Sequence, residues 1–389
     1  MAVTPKICML TVHGIGFQQP PQPGIPGYAD GLHQNLTEVL GDKLGNDPNR
    51  QPEIDGPVYV MSAKPTTRDT EWGLSRLGAW RDGALDITET PLAESDRPIA
   101  HVALIYTSLE DVRPLLGNGT GTVSEAGLLL GQYASVAGAM RLVCGDTWAA
   151  IHENGGLAGE SASLRPRTDL VPAHRFSILR FLHPDLAANQ PGGGMLGTVT
   201  TLEDDVVAYV CRNDLRESVR AFIKEAIRRL VARPDVLDVV VNAHSQGTVA
   251  SYDVLQQSPL PVTSRVNALV TAGSPLRKYA DLFSWGSDVG ATASVRRWLN
   301  FWDAKDPVAD PLDQPPSWHF GNDVVPRPTH DLGLFWALRD AGCQEPVPIT
   351  DHKVDNIVHS SGGGLQAHNY WGNKTQFIPE LAATLQQAL

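Results

Sequence analysis

The chain has 389 residues, of which 42% are hydrophobic and 19% charged, so it can bury a large core. Its formal net charge is −12, which argues against nucleic acid as a partner, because no basic surface is available to replace phosphate counterions. The same charge favours neutral substrates over anionic ones. The four cysteines lie far apart without a CxxC pair, which is typical of reduced buried thiols and of neither a zinc site nor a disulfide framework.

The N-terminal apolar stretch is too short for a secretory signal core, and no apolar run reaches transmembrane length. These features predict a cytoplasmic protein without stable membrane insertion. Secretion stays open for a chain whose leader has already been removed.

In residues 1–107, short apolar runs alternate with a helical pattern. Leucine and valine recur on one face of residues 28–44, which predicts a helix. Trp72, Leu74, Leu77 and Trp80 also have near-helical spacing. The runs that predict strands are residues 6–12, 57–62 and 101–107.

Residues 109–201 lack this alternation and contain several glycine-rich stretches. Connections in a compact α/β domain are short, so we interpret this segment as an insertion that caps the sheet. Its uncharged apolar part, residues 126–140, is either a core helix or a mobile lid over the site.

Regular patterns return after the insertion. Apolar periodicity predicts helices at residues 202–232, 248–257 and 375–389. Apolar runs predict strands at residues 236–241, 266–271, 298–302 and 353–358. Strands that alternate with helices indicate a single α/β domain over residues 1–389, with a mostly parallel central sheet covered by helices on both faces.

The segment VVVNAHSQG, residues 239–247, contains the strongest chemical signal. An apolar run ends in Ala243 and His244, Ser245 follows, and Gln246 and Gly247 lead into a helical pattern. A strand, a sharp turn with small residues around a serine, and a helix are typical of a nucleophile elbow. Such a turn exposes the serine hydroxyl at the edge of a sheet, and it usually has glycine where this chain has Ala243.

A serine nucleophile needs a base to accept its proton and an acid to orient that base. Asp306, just beyond the predicted strand at residues 298–302, is the leading acid, and Asp303 and Asp310 are competitors that could equally be turn or capping residues. The leading base is His368, which follows a glycine-rich loop and precedes the last helix. The histidines His352 and His359 are its rivals.

An oxyanion also needs two backbone N–H donors. The Gln246 N–H would be one, and the loop HGIG after the first predicted strand would supply the other through Ile15. Glycines at Gly14 and Gly16 let this loop turn inward without a Cβ clash. His13 would then brace the loop and would not act as a catalytic base.

Together these residues resemble the lipase-like branch of the α/β-hydrolase superfamily. The similar segments are VHGIG at residues 12–16, AHSQG at 243–247, AGSPL at 272–276, WLNFWDAKDPVADPL at 298–312 and AHNYWGN at 367–373. They occur in the right order but do not include residues 63–98 or 109–201. The resemblance implies an α/β-hydrolase fold with a cap or lid, a triad of Ser245, Asp306 and His368, and oxyanion donors Ile15 and Gln246.

We therefore expect a serine carboxylic ester hydrolase that forms an acyl-enzyme with a small ester substrate. A thioesterase, acyltransferase, amidase or phospholipase would use the same residues, and a non-catalytic binding module on this scaffold is the remaining alternative. Some bacterial lipases carry structural calcium or zinc. The sequence has no matching ligand set, so no metal or cofactor is expected.

Overall fold

Parallel strands linked through helices form the centre of the molecule. The computed structural model describes residues 6–14, 27–46, 58–62, 78–81, 84–87, 92, 97–106, 165–166, 209, 213–257, 260, 266–276, 283–284, 291–306, 308–309, 311–313, 317–320, 323–326, 335–338, 346–360 and 366–389. The helices in these ranges are α1 (Asp30–Leu40), α2 (Asn213–Ala232), α3 (Gln246–Gln257), α4 (Asn356–His359) and α5 (Phe377–Gln387). The strands are β1 (Lys6–Val12), β2 (Leu44–Gly45), β3 (Tyr59–Ser62), β4 (Gly78–Arg81), β5 (Ala84–Ile87), β6 (Ile99–Ile105), β7 (Arg165–Pro166), β8 (Val236–His244), β9 (Val266–Ala272), β10 (Phe283–Ser284), β11 (Ala291–Thr292), β12 (Val295–Asp303), β13 (Ser317–Phe320), β14 (Asp323–Pro326), β15 (Trp336–Leu338), β16 (Pro346–Pro348) and β17 (Thr350–Val354).

Ten of the described strands form one sheet in the order β17-β12-β9-β8-β1-β6-β3-β4-β5, with β2 also paired to β6. The pairings along this sheet are parallel, and the exception is the antiparallel pair of β4 and β5 at one edge. The molecule is therefore an α/β fold with a mostly parallel central sheet, as the alternation of strands and helices predicted.

The central strands bury both faces, which explains why they are continuous apolar runs. In β1 the side chains alternate between two clusters. Cys8, Leu10 and Val12 pack with α2 and α3 on one face. Ile7 and Met9 pack with α1 and α5 on the other. Burying one such apolar side chain contributes about 1.5–3 kcal/mol, so the two helical layers hold the sheet from opposite sides.

Some predicted boundaries differ from the observed ones. The helix expected over residues 28–44 ends at Leu40, and a 3₁₀ turn continues it to Lys43. Of the four residues with near-helical spacing, Trp80 lies in β4, which pairs with β3 and β5, and Trp72, Leu74 and Leu77 lie outside the described residues. The last predicted strand stops at Val354, since the Asp355 side chain accepts a hydrogen bond from Val358 N and caps α4. Apart from β7, the proposed insertion at residues 109–201 lies outside the described residues.

A buried cluster of polar side chains joins α2 to α3. Asp253 of α3 is fully buried, and its Oδ2 accepts hydrogen bonds from Arg220 Nε at 2.5 Å and from Tyr209 Oη at 2.8 Å. Arg216 Nη1 of α2 donates to Tyr209 O at 3.0 Å. Removing one partner of a buried ion pair is strongly destabilising, so this cluster fixes the position of α3 relative to α2.

A second buried polar chain crosses the sheet below the end of β8. Asn242 Nδ2 lies 3.4 Å from Thr11 Oγ1, which is 2.8 Å from His101 Nε2. His101 Nδ1 lies 3.2 Å from His33 Nδ1, and His33 Nε2 lies 2.9 Å from Asn46 Oδ1. All four contacts are satisfied at once if both rings are neutral and each hydrogen bond donates toward Asn46. Burial lowers the pKa of His33 to about 4 and that of His101 well below its usual value, so both rings are neutral at neutral pH.

Because both histidines are buried and neutral, the free energy of unfolding should fall in mild acid. Their folded-state pKa values lie below the unfolded value, about 6.5. The unfolded chain therefore binds more protons as the pH falls, and the stability present above pH 6.5 is lost toward pH 4. Replacing His101 by Gln should reduce the slope of unfolding free energy against pH by about 1.4 kcal/mol per pH unit in this window. Urea unfolding of both proteins across the window measures the slope, and equal slopes would contradict the assignment.

Candidate active site

Ser245 stands in a strained turn between β8 and α3. Its φ is 53°, and it is the non-glycine residue with positive φ in the described part of the chain. This conformation costs a side-chain-bearing residue about 1–2 kcal/mol. Hydrogen bonds on both sides hold the turn: Ser245 N donates to Ala272 O at 2.9 Å, and Thr248 N donates to Ser245 O at 2.9 Å. The turn presents a serine hydroxyl at the carboxyl edge of the sheet.

The position of the turn follows from the order of the strands. After β1 the chain builds β3 and β6 on one side of β1, whereas β8, β9, β12 and β17 lie on the other side. The crevice between the carboxyl ends of β1 and β8 is therefore a topological switch point, where open parallel sheets commonly bind ligands. Ser245 follows β8 at this crevice, and His13 and Gly14 follow β1.

Two glycines allow the β1 segment to approach the serine. A Cβ on Gly14 would lie 2.4 Å from Ser245 Cβ and 3.1 Å from Ser245 Oγ. A Cβ on Gly247 would lie 2.3 Å from His13 O. The distances of 2.4 and 2.3 Å are shorter than real Cβ atoms allow. The start of α3 and the loop after β1 therefore meet only because Gly14 and Gly247 lack side chains. Ala243, the departure from the usual glycine, is fully buried and pairs with Val12 in the sheet.

The structure brings the predicted acid and base into contact. Asp306 Oδ2 accepts a hydrogen bond from His368 Nδ1 at 2.7 Å, and both residues are buried. Asp306 Oδ1 accepts from Val308 N at 2.9 Å. Burial alone would raise the pKa of Asp306, but the neighbouring His368 and these hydrogen bonds outweigh burial and lower it. Asp306 is therefore ionised at neutral pH and orients the imidazole.

His368 lies over the end of β9, beside the turn. Gly273 has a φ of 64°, and a Cβ on it would lie 2.6 Å from His368 Cε1. Because Ser245 N is bonded to Ala272 O, one residue before Gly273, the serine and the imidazole share this edge. Within the described residues, the buried His368 Nε2 has no hydrogen-bond partner. When the ring is neutral, the proton that Nδ1 donates to Asp306 leaves the lone pair on Nε2.

The competing acid Asp303 has a different set of contacts. Its carboxylate accepts from Lys305 N at 2.8 Å and from Asn356 N at 2.6 Å, so it closes a turn and joins β12 to α4. Burial raises the pKa of Asp303. The third candidate, Asp310, lies outside the described residues.

The rival histidines have other positions. The ring of His352 stacks on Phe301, with 4.6 Å between the ring centroids. His359 is the last residue of α4.

His13 contacts the segment directly after β1, the start of the loop that it is predicted to brace. Its Nδ1 lies 2.8 Å from Gly14 O, and its Nε2 accepts from Tyr106 N at 3.4 Å. Its ring stacks on that of Tyr106, with 4.1 Å between centroids. Burial lowers the pKa of His13 to about 4, so the ring is neutral. Ile15 and Gly16, which follow in the same loop, lie outside the described residues.

His244 and Gln246 flank the serine. His244 Nε2 donates to His368 O at 2.9 Å, because a carbonyl oxygen can only accept. Burial lowers the pKa of His244 to about 3. Gln246 is the first residue of α3, where helix N–H groups point outward and favour negative charge. His244 thus holds the backbone of His368. The N–H of Gln246, at the start of α3, is suited to donate to an oxyanion.

Tyr370 is the site residue that the sequence analysis missed as a separate contributor. Its hydroxyl donates to Asp306 Oδ2 at 2.8 Å and accepts from Asp303 N at 2.9 Å. The segment AHNYWGN contains it two residues after His368, which was the available signal.

Among the described residues, no three His, Cys, Asp or Glu side chains are grouped as a metal site would require. Within the same ranges, no helix combines the length and apolar character needed to cross a membrane.

The close approach at Gly14 generates a prediction. In a Gly14→Ala variant the new methyl group would overlap the Ser245 side chain, so we expect labelling by a fluorophosphonate probe to slow at least about 100-fold. Gly31→Ala is the matched control, because a Cβ on Gly31 in α1 meets nothing within 4 Å. Gly31→Ala should keep wild-type labelling and gain about 1 kcal/mol of stability. Equal labelling of the two variants would show that the space around Gly14 is not critical.

Comparison with known proteins found no matching family model, no similar curated protein and no similar solved structure. A functional assignment therefore depends on the geometry of the residues at the carboxyl edge of the sheet.

Proposed function

We propose that the protein is a serine carboxylic ester hydrolase that acts through a covalent acyl-enzyme. The observation that carries the proposal is the left-handed turn at Ser245 beside the buried Asp306–His368 pair. A nucleophile on a strained strand-to-helix turn, a base with one ring nitrogen bonded to a carboxylate, and outward-pointing N–H groups together match the needs of acyl transfer.

In the acylation step, His368 Nε2 accepts the hydroxyl proton as Ser245 Oγ bonds to the carbonyl carbon of the ester. The electron pair of the carbonyl moves to its oxygen, which the N–H groups of Gln246 and Ile15 stabilise. Collapse of this intermediate breaks the bond to the alcohol oxygen, and His368 returns its proton to the leaving alcohol. Among the described residues no hydrogen bond joins Ser245 Oγ to His368 Nε2. In such sites this contact often forms only when substrate binds.

Deacylation repeats the same steps with water. His368 Nε2 removes a proton from water as the water oxygen attacks the acyl carbon. The second oxyanion that forms accepts hydrogen bonds from the N–H groups of Gln246 and Ile15. Ser245 Oγ leaves with the proton from His368, and the carboxylic acid is released. Asp306 stays ionised throughout and stabilises the imidazolium that forms in each half-reaction.

We also propose the α/β-hydrolase fold as the finer description of this sheet. The nucleophile follows β8, the expected oxyanion loop follows β1, and the acid and the histidine come later in the chain, in the order serine, acid, histidine. In this interpretation residues 109–201 supply a cap or lid. The net charge of −12 agrees with a neutral ester as substrate.

Replacing Ser245 by Ala should abolish hydrolysis of short p-nitrophenyl esters. The loss removes the nucleophile, so we expect turnover to fall by at least about 10⁴-fold. Ser251→Ala is the matched control: Ser251 is a fully buried serine of α3 whose hydroxyl has no hydrogen-bond partner in the described part of the chain. The control should retain activity. Retained turnover in the Ser245→Ala protein, with its circular dichroism unchanged, would exclude the proposed mechanism.

Two aspartate variants should identify the acid. Asp306→Asn removes the charge that orients and stabilises His368, and we expect kcat to fall about 10⁴-fold. Asp303→Asn changes a carboxylate whose hydrogen bonds go to backbone N–H groups, and we expect a loss of less than about 10-fold together with lower thermal stability. Steady-state kinetics and thermal unfolding of both variants provide the comparison. A larger kinetic loss in Asp303→Asn would reassign the acid.

A further inference from the structure

The Tyr370 hydroxyl is held between the acid and the backbone of β12. Tyr370 is fully buried. Its hydroxyl accepts a hydrogen bond from Asp303 N at 2.9 Å and donates one to Asp306 Oδ2 at 2.8 Å. A backbone N–H can only donate and an ionised carboxylate can only accept, so donor and acceptor roles are defined at both ends.

The tyrosine and the histidine donate to the same carboxylate oxygen. Asp306 Oδ2 accepts from His368 Nδ1 at 2.7 Å and from the Tyr370 hydroxyl, whereas Oδ1 accepts from Val308 N. The Tyr370 hydroxyl therefore reduces the negative charge on Asp306 Oδ2, the oxygen that also accepts from the imidazole. The backbone N–H that donates to the tyrosine oxygen polarises the hydroxyl and strengthens its donation.

The titratable groups around this hydroxyl come from three elements. Asp303 ends β12 and Asp306 follows it. His368 is in the 3₁₀ turn before Tyr370, and the ring of His244, at the end of β8, lies 6.1 Å from the tyrosine ring between centroids. Among these groups, Asp306 is the one that the hydroxyl itself donates to.

We infer that Tyr370 is a positioning residue of the triad: it holds the Asp306 carboxylate in the orientation that His368 requires and moderates the charge that the imidazole experiences. This inference rests on the proposed ester hydrolase function. Without the hydroxyl, the carboxylate can rotate, and the Asp306–His368 pair holds its proton more tightly. Turnover should therefore decrease, and the base should become active at a higher pH.

A merely structural tyrosine would behave differently, and the chain offers a matched case. The Tyr209 hydroxyl donates to Asp253 Oδ2 at 2.8 Å, and that oxygen also accepts from Arg220 Nε. Both tyrosines are buried. Each therefore shares a buried carboxylate oxygen with a second nitrogen donor, but Asp253 is outside the triad. Tyr209→Phe thus reports the cost of losing such a hydrogen bond at a carboxylate of α3 instead of at the proposed triad acid.

The experiment measures pH profiles of p-nitrophenyl ester hydrolysis for wild type, Tyr370→Phe, Tyr209→Phe and Ser245→Ala. For Tyr370→Phe we expect kcat to fall about tenfold with KM within about twofold of wild type. The acid limb of kcat/KM should move up by about half a pH unit. Tyr209→Phe should lose thermal stability but keep the wild-type kcat and pH profile.

A second variant covers the case in which Tyr370→Phe does not fold. Incorporation of 3-fluorotyrosine at position 370 keeps the ring and the hydroxyl but makes the hydroxyl more acidic and a stronger donor. Its acid limb should move to lower pH than that of wild type, opposite to the Phe variant.

The outcomes separate the two proposals. If wild type hydrolyses the ester, Ser245→Ala does not, and the position 370 variants move the acid limb in the stated directions, the role of Tyr370 is supported. If the position 370 variants keep the wild-type profile, the inference fails and the ester hydrolase proposal stands. If wild type hydrolyses no ester, or Ser245→Ala retains turnover, both fail.

Discussion

The left-handed turn at Ser245 is the constraint on which the rest of the site depends. A side-chain-bearing residue adopts this conformation only when its surroundings enforce it. Here hydrogen bonds on both sides of the turn supply the enforcement, because Ser245 N donates to Ala272 O at the end of β9 and Thr248 N donates to Ser245 O. The loop after β1 then meets the serine through Gly14 and Gly247, which have no β-carbons to separate the two segments.

The Asp306 carboxylate is the charged group in direct contact with the His368 imidazole. His13 and His244 are neutral because burial lowers the pKa of both. Asp306 keeps its charge because its oxygens accept three hydrogen bonds, from His368, Tyr370 and Val308. With both of these histidines neutral, the carboxylate hydrogen-bonded to His368 Nδ1 is the negative charge in direct contact with the imidazole, which is what the proposed imidazolium would require. The neutral histidines hydrogen-bond to backbone carbonyl groups, whereas the charged aspartate holds the His368 ring.

Much of this arrangement was predictable from the sequence, for identifiable reasons. The strands of a buried parallel sheet are continuous apolar runs, so β1, β6, β8, β9 and β12 were evident. Ser245 and Asp306 come shortly after the apolar runs of β8 and β12, and the carboxyl ends of parallel strands lie at one edge of a sheet. Their placement at the same edge was therefore predictable. The β4 strand, residues 78–81, was not predicted, because its four residues, GAWR, contain no continuous apolar run. The dual hydrogen bond of Tyr370 depends on distances between β12 and the segment after His368, which no local pattern encodes.

Gly273 has a consequence for the mobility of the site. Its bare Cα leaves a hollow at the end of β9, and the imidazole of His368 lies against it, with the ring of His244 4.5 Å away between centroids. A side chain confined in this way loses its rotamer freedom when the chain folds. If the proposed ester hydrolase function holds, the entropy needed to align His368 is lost once, during folding, and not again at each encounter with substrate.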